Sequence, residues 1–128
     1  MSDPFIFITH HTIKDGQFEK LEAMSRDFLD FVEANEPRLL GLHAYLDRER
    51  GKLTLLQIHP DAESMDFHLQ VAGDKIHRAV EIVDNDSVEV YGDPGPVTRG
   101  LLDQISAAGV RVNERPDTLG GFVRLGAA

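Results

Sequence analysis

Six histidines, His10, His11, His43, His59, His68 and His77, are the side chains of this 128-residue chain best suited to do chemistry. An imidazole titrates near neutrality, so each can act as a general base, a general acid or a metal ligand. Spacing narrows the choice. His10 and His11 are neighbours on a stretch that reads as a strand, so they point to opposite faces and cannot chelate one ion together. His68 and His77 are about half a turn out of phase on a continuous helix. No HExxH or other tight ligand spacing occurs, so no metal is expected.

Other reactive groups are few. The chain has no Cys, which removes thiolate nucleophiles, disulfides and Cys-ligated metals. It has no GxSxG elbow. The glycines of Gly92-Asp93-Pro94-Gly95-Pro96 alternate with prolines and follow no parallel βα unit, so they do not read as a phosphate loop. Asp84 and Asp86 read as a solvated turn. Phe18, Phe28 and Phe31 fall at helical spacing and read as core. Two alternating pairs remain on strand-like segments, His43 with Tyr45 and Gln57 with His59. If the register brings the two pairs to one face they form a polar patch; if not, each is a scattered residue. His68 is about one turn from both Met65 and Ala72, at the margin of a helix's packed face.

Composition bounds the rest. Lys plus Arg is 13 and Asp plus Glu is 22, a formal net charge of −9, which argues against nucleic acid or an anionic membrane as partner. With 41% hydrophobic and 27% charged residues the chain reads as one ordinary globular domain. No apolar run approaches the roughly 20 residues of a membrane span, and Met1-Ser2-Asp3-Pro4 has no signal-peptide character, so a cytoplasmic location is expected.

Hydrophobic periodicity supplies the elements that must position these groups. Phe5 to Ile13 reads as a strand covered on both sides. From Gln17 to Asn35 the period becomes 3.6, with Phe18, Leu21, Met24, Phe28, Phe31 and Val32 on one stripe, which predicts a helix ended by Pro37. Leu39 to Asp47 and Lys52 to His59 read as two strands around Gly51. A helix is expected from Pro60 to Val71, broken at Ala72-Gly73, with a second piece from Lys75 to Val83. Ser87 to Tyr91 alternates like a half-buried strand. The order β-α-β-β-α-β is the split, ferredoxin-like arrangement, α+β in class. Beyond the boundary at Gly92–Pro96, a short helix around Leu101 to Ala108 and a hairpin of Val110–Glu114 with Phe122–Leu125 are expected. The division is a body over residues 1–93 and a C-terminal helix-plus-hairpin extension over 94–128, packed on the body or on a partner subunit.

Several short motifs, in order, resemble the antibiotic-biosynthesis monooxygenase-like proteins of the dimeric α+β barrel superfamily. They are Ile13-Lys14-Asp15-Gly16-Gln17-Phe18, Glu36-Pro37-Arg38-Leu39-Leu40-Gly41, His43-Ala44-Tyr45-Leu46-Asp47, and Asp61 to Leu69 with its His68-Leu69 pair. The resemblance covers about 90 of the residues and implies a homodimer whose sheets face each other as a dimeric α+β barrel, with a ligand pocket in each subunit. The chain has no Trp, and Gln57-Ile58-His59-Pro60 stands where the family pattern often ends a strand in Glu-x-Trp or Glu-x-Tyr. Both departures argue against haem oxygenation.

The expected function is a cofactor-independent, monooxygenase-like reaction on a small apolar or aromatic molecule. His68 and His43 are the candidate bases and Tyr45 a candidate donor. His59, Gln57, Phe67, His77 and His11 are candidates for binding the ligand. The alternative is a non-catalytic dimeric small-molecule-binding or stress-response protein.

Overall fold

The β-branched and aromatic run Phe5–Ile13 forms β1, the central strand of the sheet. The computed structural model describes residues 3–124. After β1 come α1 (Phe18–Asn35), β2 (Gly41–Asp47), β3 (Lys52–His59), α2 (Ala62–Ala79), β4 (Val83–Tyr91), α3 (Pro96–Ala107) and β5 (Arg111–Arg115). The sheet order is β2-β3-β1-β4-β5, antiparallel except for the parallel pair β4–β5. The class is α+β and the β-α-β-β-α-β core is ferredoxin-like, as the sequence pattern expects.

Side chains alternate across the sheet, and one face carries Phe5, Phe7, Thr9 and His11 opposite His59, Gln57, Leu55 and Leu53. All three helices pack on that face. Phe5, Phe7, Met65, Val88, Val90 and Leu102 form one buried cluster. Leu21, Leu53, Ile82 and Val83 form a second. The other face holds Ile6, Ile8, His10 and Thr12 opposite Ile58, Leu56, Thr54 and Lys52, with none of the described helices packed on it.

Four expectations about the elements are corrected. Val83, Asp84 and Asp86, expected at a helix end and in a solvated turn, lie in β4. α2 runs unbroken through Gly73. A mid-helix Gly costs about 1 kcal/mol relative to Ala, and the burial of Met65, His68 and Ala72 on one side of the helix outweighs it. α3 starts earlier than expected, at Pro96, whose fixed φ suits the first helical position. Its start is tied to α2 through Asp66, which accepts hydrogen bonds from the Thr98 backbone N–H at 2.8 Å and the Thr98 hydroxyl at 2.7 Å. The hairpin is replaced by a single strand. Val110–Glu114 does become extended, but β5 pairs with β4, and the segment from Phe122 to Arg124 is not a strand. Leu125, the end of the expected second arm, lies outside the described residues. β5 is held by Arg99 on α3, whose guanidinium donates to both carboxylate oxygens of Glu114 at 3.1 and 2.5 Å.

Candidate functional site

A cavity of about 850 Å³ lies between the helices and the sheet face that carries Phe7, Thr9 and His11. Its walls are mostly apolar, including Leu21, Met24, Phe28, Leu53, Leu55, Met65, Leu69 and Val88. Thr9, His11, Gln57 and Asn85 of the sheet and His68 of α2 also line it, with the mostly exposed charged side chains Lys20, Asp27, Lys75, Arg78, Glu81 and Asp84. Apolar walls with a few convergent polar groups are the common form of a small-molecule site.

His68 is fully buried, at 0% exposure, because it faces inward on α2 between Met65 and Ala72. Its Nδ1 lies 2.8 and 2.9 Å from the two carboxylate oxygens of Glu36, itself only 4% exposed. The Nδ1–H therefore donates to the carboxylate, which fixes the ring and leaves Nε2 as the nitrogen able to take or give a proton. Nε2 is buried and has no hydrogen-bond partner among the described residues. Phe28 packs edge-on against the ring at 6.0 Å between centroids.

Beside it, His59 is also fully buried, its centroid 6.0 Å from that of His68. The Ser64 hydroxyl donates to Nδ1 at 2.7 Å, and the Nε2–H donates to Gln57 Oε1 at 3.0 Å. Burial first, and the neighbouring His68 second, push the His59 imidazole down to about 3. A neutral His59 keeps the Gln57 carbonyl oxygen occupied, so the NH₂ of Gln57 is the end free to serve a ligand.

This has a consequence for acid stability. The unfolded chain protonates His59 near 6.5 and the folded chain only near 3, so the unfolded state binds more protons throughout that window. The contribution of His59 is complete above pH 6.5 and is lost progressively as the pH falls toward 3. His11, also held low by burial, adds in the same direction. Urea unfolding at pH 7 and pH 4.5 should show a loss on the order of 2 kcal/mol attributable to His59. A His59→Gln variant should lose correspondingly less between the two pH values.

The candidates separate cleanly. His68, Gln57 and His11 line the cavity, and His59 stands directly behind Gln57. His43 and Tyr45 do not join them. In the β2–β3 register His43 faces Leu56 and Tyr45 faces Thr54, whereas Gln57 faces Leu42. The two alternating pairs thus lie on opposite faces of the sheet, with Tyr45 61% exposed. Phe67 lies outside the cavity, in a shallow groove with Pro37, Arg38, Pro96 and Val97. His77 is exposed on α2 and points away from the cavity.

The residue the pattern reading missed is Glu36, treated there only as part of the helix stop and a motif. It did leave a signal. A carboxylate at the C-terminal end of a helix opposes the helix dipole, so an acidic residue between Asn35 and Pro37 calls for a partner.

No family model matches this chain, and no curated protein does either. Solved structures do. MupZ from Pseudomonas fluorescens superposes with a TM-score of 0.70 at 15% identity, over 94% of this chain and 96% of that one. A protein from Bacteroides thetaiotaomicron, provisionally named an antibiotic biosynthesis monooxygenase, gives 0.59 at 19% identity over 69% and 85%. Rv0793 from Mycobacterium tuberculosis gives 0.59 at 15% identity over 73% and 97%. The chain therefore has the fold of the antibiotic biosynthesis monooxygenase-like proteins. The match to MupZ extends through nearly the whole length. Among the described residues no helix is long and apolar enough to cross a membrane.

Proposed function

We propose that the protein is a cofactor-independent monooxygenase-like enzyme acting on a small apolar or aromatic molecule with an acidic phenol or enol. The observation that carries this reading is the buried Glu36–His68 pair in the wall of a largely apolar cavity, the Nε2 of His68 having no hydrogen-bond partner among the described residues. His68 Nε2 takes the O–H proton, and Glu36 stabilises the imidazolium that forms. The resulting carbanion adds to dioxygen at the ring carbon, which is oxidised as oxygen is reduced to a hydroperoxide. Loss of the remaining C–H proton with hydroxide, together one water, leaves a carbonyl. Phenol and O₂ thus give quinone and water, one oxygen atom going to each. The NH₂ of Gln57 is the donor for the developing oxyanion.

We also propose that the working form is a homodimer closed over the open face of the sheet. That face has Ile6, Ile8, Leu56 and Ile58 at its centre.

Incubation with electron-rich phenols under ¹⁸O₂ tests the chemistry. One labelled oxygen per product and uptake of one O₂ per turnover are expected. Binding of the same phenols without oxygen uptake would overturn the enzymatic reading and leave a small-molecule-binding protein.

A further inference from the structure

A second buried imidazole lines the same cavity. His11 is 9% exposed and its Nε2 is 2.9 Å from the Thr9 hydroxyl; its ring lies near the Asp84 backbone and the Asn85 side chain, but its Nδ1 makes no hydrogen bond of good geometry among the described residues. The strand geometry around it is irregular. The β1–β4 register skips Asp86 between His10 and His11, so His11 pairs with Asn85. Such bulges re-aim side chains and recur beside binding sites. An unpaired buried nitrogen is costly unless something bonds to it.

His11 and His68 sit at different levels of the cavity. His68 lies beside His59, next to the row that pairs Phe7 with Gln57. His11 is paired with Leu53, four residues further along each strand, or about 13 Å at the usual strand rise. Between the two levels the strands present Leu55 and Val88 on either side of Thr9, whose hydroxyl is taken up by His11. The cavity is therefore polar at two ends and apolar between.

Resting on the functional reading above, we infer that the substrate is an elongated, rigid apolar body with a hydroxyl at each end, one at His68 and the other anchored by His11 Nδ1. A hydroxyl suits His11 whichever ring nitrogen carries its proton. If Nε2–H donates to Thr9, Nδ1 accepts from the ligand; if the Thr9 hydroxyl donates to Nε2, Nδ1–H donates to the ligand oxygen. Neither His11 nor Thr9 takes part in the proton transfer, so this end selects the molecule without acting on it.

The test compares calorimetric binding of 4,4′-dihydroxybiphenyl and 4-hydroxybiphenyl to the full chain. The diol should bind about tenfold more tightly, the worth of one added buried hydrogen bond. In His11→Phe that advantage should vanish, the diol then binding no more tightly than the mono-ol. Circular dichroism and the melting profile should confirm that the variant is folded. Should His11→Phe not fold, Thr9→Val, which leaves His11 in place without its orienting hydroxyl, should reduce the same advantage.

Equal affinities for diol and mono-ol in the wild type, or a diol preference untouched in a folded His11→Phe, would overturn the inference. Because the readout is binding, its failure is distinct from that of the oxygenase reading. Phenols that bind with the predicted preference but consume no oxygen would leave His11 as an anchor and remove only the chemistry.

Discussion

His68→Asn is expected to lower phenol-dependent oxygen uptake by about 10²- to 10⁴-fold, the usual worth of a positioned general base, with little loss of folded protein. The Asn amide places a donor near the former Nδ1 and can still bond to Glu36, but it has no atom in place of Nε2. His68→Ala should behave differently. It leaves the Glu36 carboxylate buried with no partner, and stranding one member of a buried pair costs about 3–5 kcal/mol. Glu36→Gln keeps an acceptor for the Nδ1–H and should retain the fold, while losing the charge that favours the imidazolium. Oxygen-electrode rates alongside urea unfolding for the three variants separate catalysis from stability. Full activity in His68→Asn would remove His68 as the base.

The second large effect concerns the open face of the sheet. Leu56 lies near its centre, opposite Ile8 on β1 and His43 on β2. Burying this face against a second copy at about 25 cal/mol per Å² would drive association, and a stable interface hides about 800 Å² on each partner. Light scattering of the wild type should give twice the 14.3 kDa chain mass. Leu56→Arg puts an unpaired charge at the interface centre and should give the single-chain mass with the cavity side of the sheet undisturbed. A wild-type monomer at micromolar concentration would exclude the homodimer.

Local pattern and long-range pairing were legible to different degrees. The period-2 run of β1, the 3.6-residue stripe of α1 and the hairpin around Gly51 are local signals, and the elements follow them closely. Gly73 misled because a single glycine weighs on propensity alone, whereas Ala72 and Met65 on the same helix are buried by the sheet. The Glu36–His68 pair joins residues 32 apart in sequence, so it becomes visible only once α1 and α2 lie side by side. The separation of His43 and Tyr45 from Gln57 depended on a single step of hairpin register, since shifting by one residue moves a whole strand's side chains to the other face. The parallel course of β5 was hidden because five residues carry no sign of which strand they will join.

β5 also governs how the sheet meets other polypeptides. Without it, the outer edge of β4 would be open along its length; β5 covers the stretch from Ser87 to Tyr91. With it, the terminal strand on that side is five residues long and reads Arg111-Val112-Asn113-Glu114-Arg115. A short, charged border of this kind discourages stray strand addition and the aggregation that follows from it. At the opposite border, β2 presents exposed Tyr45 and Leu46. Unwanted polymerisation of partly unfolded chains would therefore begin at β2, and a lysine introduced there would act as the gatekeeper that β5 already provides on the far side.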